Sequence, residues 1–186
     1  MQSAGLKYYG FRNEQQASYS AGYCGYLTGK PGICLCVSGP GHVNALSGVM
    51  NAWSNNWPMV LISGSSDLNQ TSRQAFQEVD QVYMVKPFVK YSAKITLAKD
   101  IPYIVNKAVK ASVSGRPGPV YLDLPGDVLN ETVNSPIEYP LFTKSPLYVP
   151  SLEELRKAVN LLGFTNRPLV LVGKGAAYSR AEKEIT

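Results

Sequence analysis

Histidine, cysteine and clustered charge are scarce in this sequence, and each shortage excludes a class of function. The 186 residues include one histidine and three cysteines, and the cysteines lack the spacing of zinc ligands or of a disulfide framework. The 18 basic and 13 acidic residues are scattered, without a block of five or more like charges. A nucleic-acid-binding face usually clusters its basic residues, so we expect no nucleic-acid partner despite the net charge of +5.

Long apolar runs are also missing. No stretch approaches the ~20 apolar residues of a membrane span, and no secretory leader is recognisable. With 45% hydrophobic and 17% charged residues, the composition is that of an ordinary globular protein. We therefore expect a soluble, intracellular protein with no membrane span. Cys34 and Cys36 alternate along one apparent strand, and we expect both to pack in the core.

Apolar strand-like runs alternate with helical patterns over the first two thirds of the chain. We predict a first strand that runs into Arg12, and further strands at 32–39, 58–64, 87–95 and 119–125. Several show little polar alternation, which is typical of strands buried on both faces of a parallel sheet. Helical spacing predicts helices at 13–28, 42–55 and 99–114. The sequence therefore predicts an α/β fold with an open, mostly parallel sheet and helices on both faces.

The character of the sequence changes after Pro125. Residues 129–150 are rich in proline without a clear period, which indicates an extended linker. Ser151, with Glu154 three residues later, begins an amphipathic helix, and 167–173 is typical of a buried strand. We expect 1–128 to form one domain that lacks its first βα unit and has an uncovered sheet face. We expect 151–186 to open a second, truncated α/β domain, so the chain would be a fragment or a shortened isoform.

Three loops follow strands, at 13–15, 38–45 and 63–81. Ligands of open α/β sheets bind outside the carboxyl ends of the strands, so we expect these loops to converge. The glycine-rich segment 38–41 fits neither a Walker loop nor a dinucleotide fingerprint, and a plain strand-to-helix turn explains it equally well.

The charged and titratable residues of these loops have simple structural explanations when each is taken alone. Glu14 suits a helix start, where the macrodipole favours a carboxylate. A Ser-His-Asp triad would depend on His42 alone, and we reject it. Glu78 and Asp80 are typical of a solvated face.

Five motifs together carry a more specific signal. They are "GFRNEQQASYSAGY", "VSGPGHVNAL", "WPMVLISG", "AFQEVDQV" and "SGRPGPVYLDLP", in this order across about residues 5–128. In order and spacing they resemble the pyrimidine-binding domain of thiamine-diphosphate-dependent enzymes. Within that family the chain is most similar to 2-hydroxyacyl-CoA lyases and next to oxalyl-CoA decarboxylases, while acetolactate synthases are more distant.

The resemblance implies roles for particular residues. The carboxyl of Glu14 would share a proton with N1′ of the cofactor's aminopyrimidine and so help to activate the cofactor. The pocket-lining residues would be Pro40, Gly41 and Asn44 against the pyrimidine, with Phe76 and Gln77 facing the substrate and Gln77 also bordering the cofactor.

The resemblance also implies a reaction, partners and a compartment. A 2-hydroxyacyl-CoA would be cleaved to formyl-CoA and a shortened aldehyde, in a homodimer or homotetramer that is cytoplasmic or peroxisomal. Residues 183–186 form no peroxisomal signal. Diphosphate and Mg²⁺ would be held by a separate Gly-Asp-Gly domain, whose only lookalike here is the incomplete Gly126-Asp127-Val128. We therefore expect no metal site in this chain and no activity of the chain alone.

Three alternatives remain open from the sequence. The first is a different enzyme of the same family, either an oxalyl-CoA decarboxylase or an acetolactate-synthase-like protein. The second is a non-catalytic truncated isoform that binds full-length subunits. The third is a flavodoxin-like nucleotide-binding module, which the Gly173-Lys174-Gly175 turn slightly favours but which leaves "RNEQ" and "AFQE" unexplained.

Overall fold

Four parallel strands lie at the centre of the first of two compact units, which comprise residues 1–145 and 146–186. The structure, a computed structural model, describes residues 2–134, 136–143 and 149–185. The strands are β1 (Gly32–Cys36), β2 (Met59–Ser65), β3 (Ser92–Lys94) and β4 (Pro119–Pro125). Their order in the sheet is β1-β2-β4-β3, and every neighbouring pair is parallel. Ser135 and 144–148 of the predicted linker lie outside the described residues.

Helices connect and follow these strands. In the first unit they are α1 (Glu14–Thr28), α2 (Pro40–Asn55), α3 (Gln81–Val85), α4 (Ile101–Val113) and α5 (Gly126–Asn130). Short 3-10 helices occur at Gln2–Ala4, Leu68–Gln70, Lys86–Phe88 and Ala98–Asp100. The second unit contains α6 (Leu152–Gly163), α7 (Lys174–Tyr178) and α8 (Glu182–Ile185). No helix of the described residues is long and apolar enough to cross a membrane.

The sheet has a hydrophobic core on each face because successive strand residues point to opposite sides. On one face α1 and α2 pack over Cys34, Met59 and Leu61. On the other face α4 covers Val60 and Val120. The predicted α/β fold, with a parallel sheet and helices on both faces, is confirmed.

A close contact between α1 and α2 sets the position of both helix starts. A Cβ atom on Gly48 of α2 would lie 2.0 Å from Ser18 Oγ of α1. Ser18 is fully buried, so the two helices touch through atoms that leave no space for a larger side chain. The first residue of α1 is thereby brought close to the first turn of α2.

Strand β1 lies at one edge of the sheet, and half of its side chains are uncovered. Cys34 is buried and Cys36 half-buried, on the face that α1 covers, and burial raises their thiol pKa values to about 11 and about 12. Ile33 and Leu35 point to the other face and are 66% and 50% exposed. The predicted burial of Cys34 is confirmed, and the sheet has an uncovered face at β1.

Three predicted strands differ from the observed structure. No strand occurs among described residues before Glu14, and none is formed at 167–173, where Leu169 and Leu171 are 85% and 88% exposed. A strand requires a neighbour for its backbone hydrogen bonds, and no described strand pairs with either segment. The strand predicted at 87–95 is limited to Ser92–Lys94, because Pro87, which lacks an N–H donor, lies in a 3-10 turn.

Candidate functional site

The first residue of α1 carries a carboxylate at a well-capped helix start. Asn13 is the N-cap, and its side-chain oxygen accepts a hydrogen bond of 3.2 Å from the backbone N–H of Gln16. Glu14 follows at once and is half-buried. Free N–H groups and the helix dipole favour an acidic side chain at this place, so a glutamate suits the start of α1.

Glu14 lies between two residues of α2. Asn44 Nδ2 donates a hydrogen bond of 3.3 Å to Glu14 Oε2. Glu14 Oε1 would be 3.3 Å from a Cβ atom on Gly41, and the same Cβ would lie 2.5 Å from Val37 Cγ1. A side chain at position 41 would therefore collide with Val37 and press on the carboxylate. The glycine leaves bare backbone beside Glu14.

The glycine-rich segment 38–41 contacts the long loop 63–81. Ser38 Oγ donates to Gln77 Oε1 over 3.1 Å. Gly39 has a φ of +58°, and a Cβ there would lie 2.9 Å from Gln77 Cβ. Both the backbone angle and the close approach require glycine at this position. Because Glu14 contacts the same helix start, the predicted convergence of the three loops is confirmed.

Three of the predicted site residues, Pro40, Asn44 and Phe76, are exposed to solvent. Pro40 is the first residue of α2, where its fixed φ suits a helix start, so this helix begins two residues earlier than predicted. Phe76 is 86% exposed. Its neighbour Gln77 is half-buried with a φ of +58°, an uncommon angle for a residue with a side chain. The substrate-facing roles of Phe76 and Gln77 stay predictions.

The two acidic residues of this loop, Glu78 and Asp80, accept hydrogen bonds from backbone N–H groups. They therefore do more than form a solvated face. Glu78 accepts hydrogen bonds from the backbone N–H groups of Ser72 and Ala75, and the Ser72 bond in particular lowers its pKa below the usual 4.5. Asp80 caps α3, where its side chain accepts a 3.0 Å hydrogen bond from the Tyr83 N–H. Among the described residues, no group of three or more His, Cys, Asp or Glu could hold a metal ion.

A buried polar network behind the loops was missed from the sequence. Gln81 Nε2 lies 3.2 Å from Tyr121 OH and 3.3 Å from Asp123 Oδ2, and Ser65 Oγ also donates to Asp123. Tyr121 OH in turn lies 2.6 Å from Ser63 Oγ. A charged residue inside the apolar run "PVYLDLP" was the available signal, since a buried carboxylate needs hydrogen-bond partners.

His42 belongs to the same network. Its ring is fully buried, with Nδ1 3.3 Å from Ser63 Oγ, and Nε2 has no hydrogen-bond partner within the described ranges. Burial lowers the pKa of His42 to about 4, so the imidazole is neutral at pH 7. Ser63 is also fully buried and cannot attack a substrate, which agrees with the rejection of a Ser-His-Asp triad.

Comparison with known proteins shows which family the N-terminal part of the chain resembles. Residues 1–84 match the family described as thiamine pyrophosphate enzyme, N-terminal TPP binding domain. These residues are similar to the cofactor-binding domain of thiamine-diphosphate-dependent enzymes. The resemblance predicted from the five motifs is therefore confirmed, and the matched segment contains all of the predicted site residues.

Curated relatives of this thiamine-diphosphate family align along nearly the whole chain. The 2-hydroxyacyl-CoA lyase of Arabidopsis thaliana is 47% identical over 97% of the chain, and the human 2-hydroxyacyl-CoA lyase 1 is 44% identical over 99%. The oxalyl-CoA decarboxylase of Escherichia coli K12 is 42% identical, also over 99%. These alignments cover 33%, 32% and 34% of the three relatives, so the chain spans about a third of their length.

The residues present fit the aminopyrimidine of thiamine diphosphate. A carboxylate can share a proton with a ring nitrogen, and Glu14 offers one oxygen to Asn44 while the other lies beside Gly41. The bare backbone at Gly41 lets a flat ring approach closely. A half-buried carboxylate next to side-chain-free backbone is thus a suitable acceptor for a nitrogen heterocycle.

Proposed function

We propose that Glu14, Gly41, Asn44 and Gln77 bind the pyrimidine half of thiamine diphosphate. The observation that carries this proposal is the Glu14 carboxylate, held by Asn44 on one oxygen and open beside Gly41 on the other. The family match supports it, because the cofactor-binding domain of that family covers the same residues. Pro40 would border the ring from the helix start.

In this proposal the chain contributes proton handling and orientation. Thiamine diphosphate, when bound, supplies a nucleophilic carbon and an electron sink. Glu14 holds a shared proton at N1′ of the aminopyrimidine, and Asn44 fixes the carboxylate by donating to its second oxygen. Gly41 gives the ring access to that carboxylate, while Gln77 and Phe76 border the place where substrate reacts.

We further propose that the reaction of the whole protein is the cleavage of a 2-hydroxyacyl-CoA. The bond between the thioester carbonyl carbon and the hydroxyl-bearing carbon breaks, giving formyl-CoA and an aldehyde one carbon shorter. The names of the plant and human relatives, both 2-hydroxyacyl-CoA lyases, support this choice. Fatty-acid α-oxidation in peroxisomes would be the setting for such a reaction, although a cytoplasmic site is compatible with it.

Oxalyl-CoA decarboxylase is the second candidate. The Escherichia coli enzyme of that name is nearly as similar to this chain as the human lyase, at 42% against 44% identity. Both reactions use an acyl-CoA, and they differ in whether an aldehyde or CO₂ is released. Comparing kcat/KM for oxalyl-CoA and for a long-chain 2-hydroxyacyl-CoA in the whole protein distinguishes them, and the lyase assignment requires the larger value for the hydroxyacyl substrate.

The domain organisation is also a proposal. Residues 1–128 would form the pyrimidine-binding domain, 129–150 the linker and 151–186 the start of the central domain. Mg²⁺ and the diphosphate would be held by a further domain, and in a homodimer or homotetramer that domain would come from a neighbouring subunit. The non-catalytic alternative, in which the chain binds full-length subunits, is tested by co-elution with a full-length relative.

The experiment that tests the pyrimidine site is a titration of the chain with thiamine diphosphate and Mg²⁺, followed by backbone amide NMR. We expect shifts at Glu14, Gly41 and Asn44 that are lost in Glu14→Gln. Glu153→Gln is the matched control, because Glu153 is an exposed glutamate of α6 paired with Lys157. Shifts at these three residues that survive in Glu14→Gln would contradict the proposal.

A further inference from the structure

Gln81, at the start of α3, uses both ends of its side-chain amide. It is 1% exposed, and its Oε1 accepts a hydrogen bond of 2.9 Å from the backbone N–H of Gly39. Its Nε2 lies 3.0 Å from the carbonyl oxygen of Gly64 and 3.3 Å from Asp123 Oδ2. One buried side chain therefore joins the glycine-rich segment to two central strands.

A second connection runs from Gln81 to His42, the residue directly after that segment. Gln81 Nε2 lies 3.2 Å from Tyr121 OH, which is 2.6 Å from Ser63 Oγ. Ser63 Oγ lies 3.3 Å from His42 Nδ1. Residues 39 and 42 are thus both tied to the same buried network. Between them lie Pro40 and Gly41, and Gly41 is the residue beside the Glu14 carboxylate.

We propose that Gln81 is a positioning residue that holds segment 39–42 in place, so that Gly41 stays against the Glu14 carboxylate. This inference rests on the proposed function in taking that place as the pyrimidine site. Gln81 does not reach the cofactor; it acts through the backbone N–H of Gly39 and through the network that ends at His42.

The chemistry of the surroundings requires an amide at position 81. Gly39 offers a donor and therefore needs an acceptor, while Gly64 and Asp123 offer acceptors and therefore need a donor. A glutamate would keep the bond to Gly39 but place an oxygen against the Gly64 carbonyl and the Asp123 carboxylate. A methionine has a similar length and can remain buried, but it provides neither an amide donor nor a carbonyl acceptor.

Amide hydrogen exchange on the 186-residue chain tests the inference without any cofactor. The variants are Gln81→Met and, as control, Ser112→Ala, which removes another buried hydrogen bond, from Ser112 Oγ to the Gly118 carbonyl. Exchange at Gly39 is expressed relative to the Leu61 amide in the central strand β2, so that global unfolding cancels. We expect the ratio to rise by about two- to tenfold in Gln81→Met and to stay unchanged in Ser112→Ala, from the usual net value of one hydrogen bond. An unchanged ratio in Gln81→Met would overturn the inference.

Cofactor affinity distinguishes a positioning role of Gln81 from a merely structural one, because a merely structural role would leave the affinity unchanged. Thiamine diphosphate with Mg²⁺ should bind Gln81→Met more weakly than the unsubstituted chain, while Ser112→Ala retains the original affinity. Equal losses in both variants would show a general effect of stability and would contradict positioning. Failure of the proposed function can be told apart from failure of this inference. If the proposed function is wrong, Glu14→Gln binds thiamine diphosphate with unchanged affinity. The Gly39 exchange ratio still decides the role of Gln81 in that case.

Discussion

The neighbours of Glu14 decide what its carboxylate can do. Asn44 occupies one oxygen, and Gly41 leaves the other beside bare backbone. Neither contact makes the carboxylate unusual by itself. Together they hold it in one orientation at a helix start, which is the preorganisation that a proton-sharing group requires.

Gly41→Ala tests the open side of this arrangement. The added Cβ would lie 2.5 Å from Val37 Cγ1 and 3.3 Å from Glu14 Oε1, so we expect thiamine diphosphate affinity to fall by about tenfold while the chain stays folded. Gly175→Ala is the control, since a Cβ there meets nothing within 4 Å. Calorimetric titration of both variants measures the difference. Equal affinities would show that Gly41 is not part of the pocket.

The buried His42 predicts a pH dependence of stability. Its pKa is about 4 in the folded chain and 6.5 when unperturbed, so below pH 6.5 the unfolded chain binds a proton that the folded chain does not. Stability should therefore fall as pH decreases from 6.5 toward 4, by ~3 kcal/mol at most.

His42→Gln isolates this contribution, because glutamine does not titrate and the other groups are common to both proteins. Urea unfolding from pH 7 to pH 4 should show the unsubstituted chain losing free energy of unfolding relative to the variant. Parallel curves over that range would mean that His42 is not buried in the neutral form.

At the level of elements, the packing of α1 on α2 positions the site. Glu14 belongs to one helix, and its two neighbours Gly41 and Asn44 belong to the other. The helices approach so closely because Gly48 faces Ser18. A change in their separation would therefore move the carboxylate away from its hydrogen-bond donor.

Gly48→Ala should both destabilise the chain and disturb the site. Its Cβ would lie 2.0 Å from Ser18 Oγ and 2.6 Å from backbone atoms, so α1 must shift, at a cost of about 1–3 kcal/mol. Urea unfolding measures the loss, and the Asn44 side-chain NMR signal reports on its bond to Glu14. Gly163→Ala, with open space around it, should change neither. A Gly48→Ala chain of unchanged stability would contradict this packing.

The helices and strands that could be predicted from the sequence are those whose sequence pattern is local. Apolar spacing and caps predicted α1, α4 and α6, and an unbroken apolar run predicted β2 and β4. The segment before Glu14 and residues 167–173 have strand-like composition, but a strand also needs a partner, which composition does not show. Motif resemblance indicated Glu14, Gly41 and Asn44, whereas the Gln81 network connects residues up to 58 positions apart and has no local pattern.

At the level of the whole molecule, the chain spans about a third of the length of its relatives, and under the proposed function it would provide one half of a cofactor site. We expect the purified 186-residue chain to release no formyl-CoA from a 2-hydroxyacyl-CoA, because no group of three or more His, Cys, Asp or Glu among its described residues could hold the Mg²⁺ that the proposed function requires. A coupled assay for formyl-CoA, with a full-length relative as positive control, measures this. Turnover by the chain alone would contradict the proposed division of the site.

The exposed face of β1 predicts self-association of the chain. Ile33 and Leu35 are at least half exposed on an edge strand, and such strands pair readily with other chains. Replacing both with threonine should raise the concentration at which light scattering still reports a monomer. Leu129→Thr, at an exposed position of α5, is the control. An unchanged threshold in the double variant would place the association surface elsewhere.

The measurement that tests the central claim most directly is the ¹⁵N chemical shift of N1′ in labelled thiamine diphosphate bound to the chain. A proton shared with Glu14 should move this shift toward its protonated value, and Glu14→Gln should abolish the movement at equal saturation. The Glu153→Gln control should retain it. If N1′ shifts equally with and without the Glu14 carboxylate, the pyrimidine does not bind where this account places it.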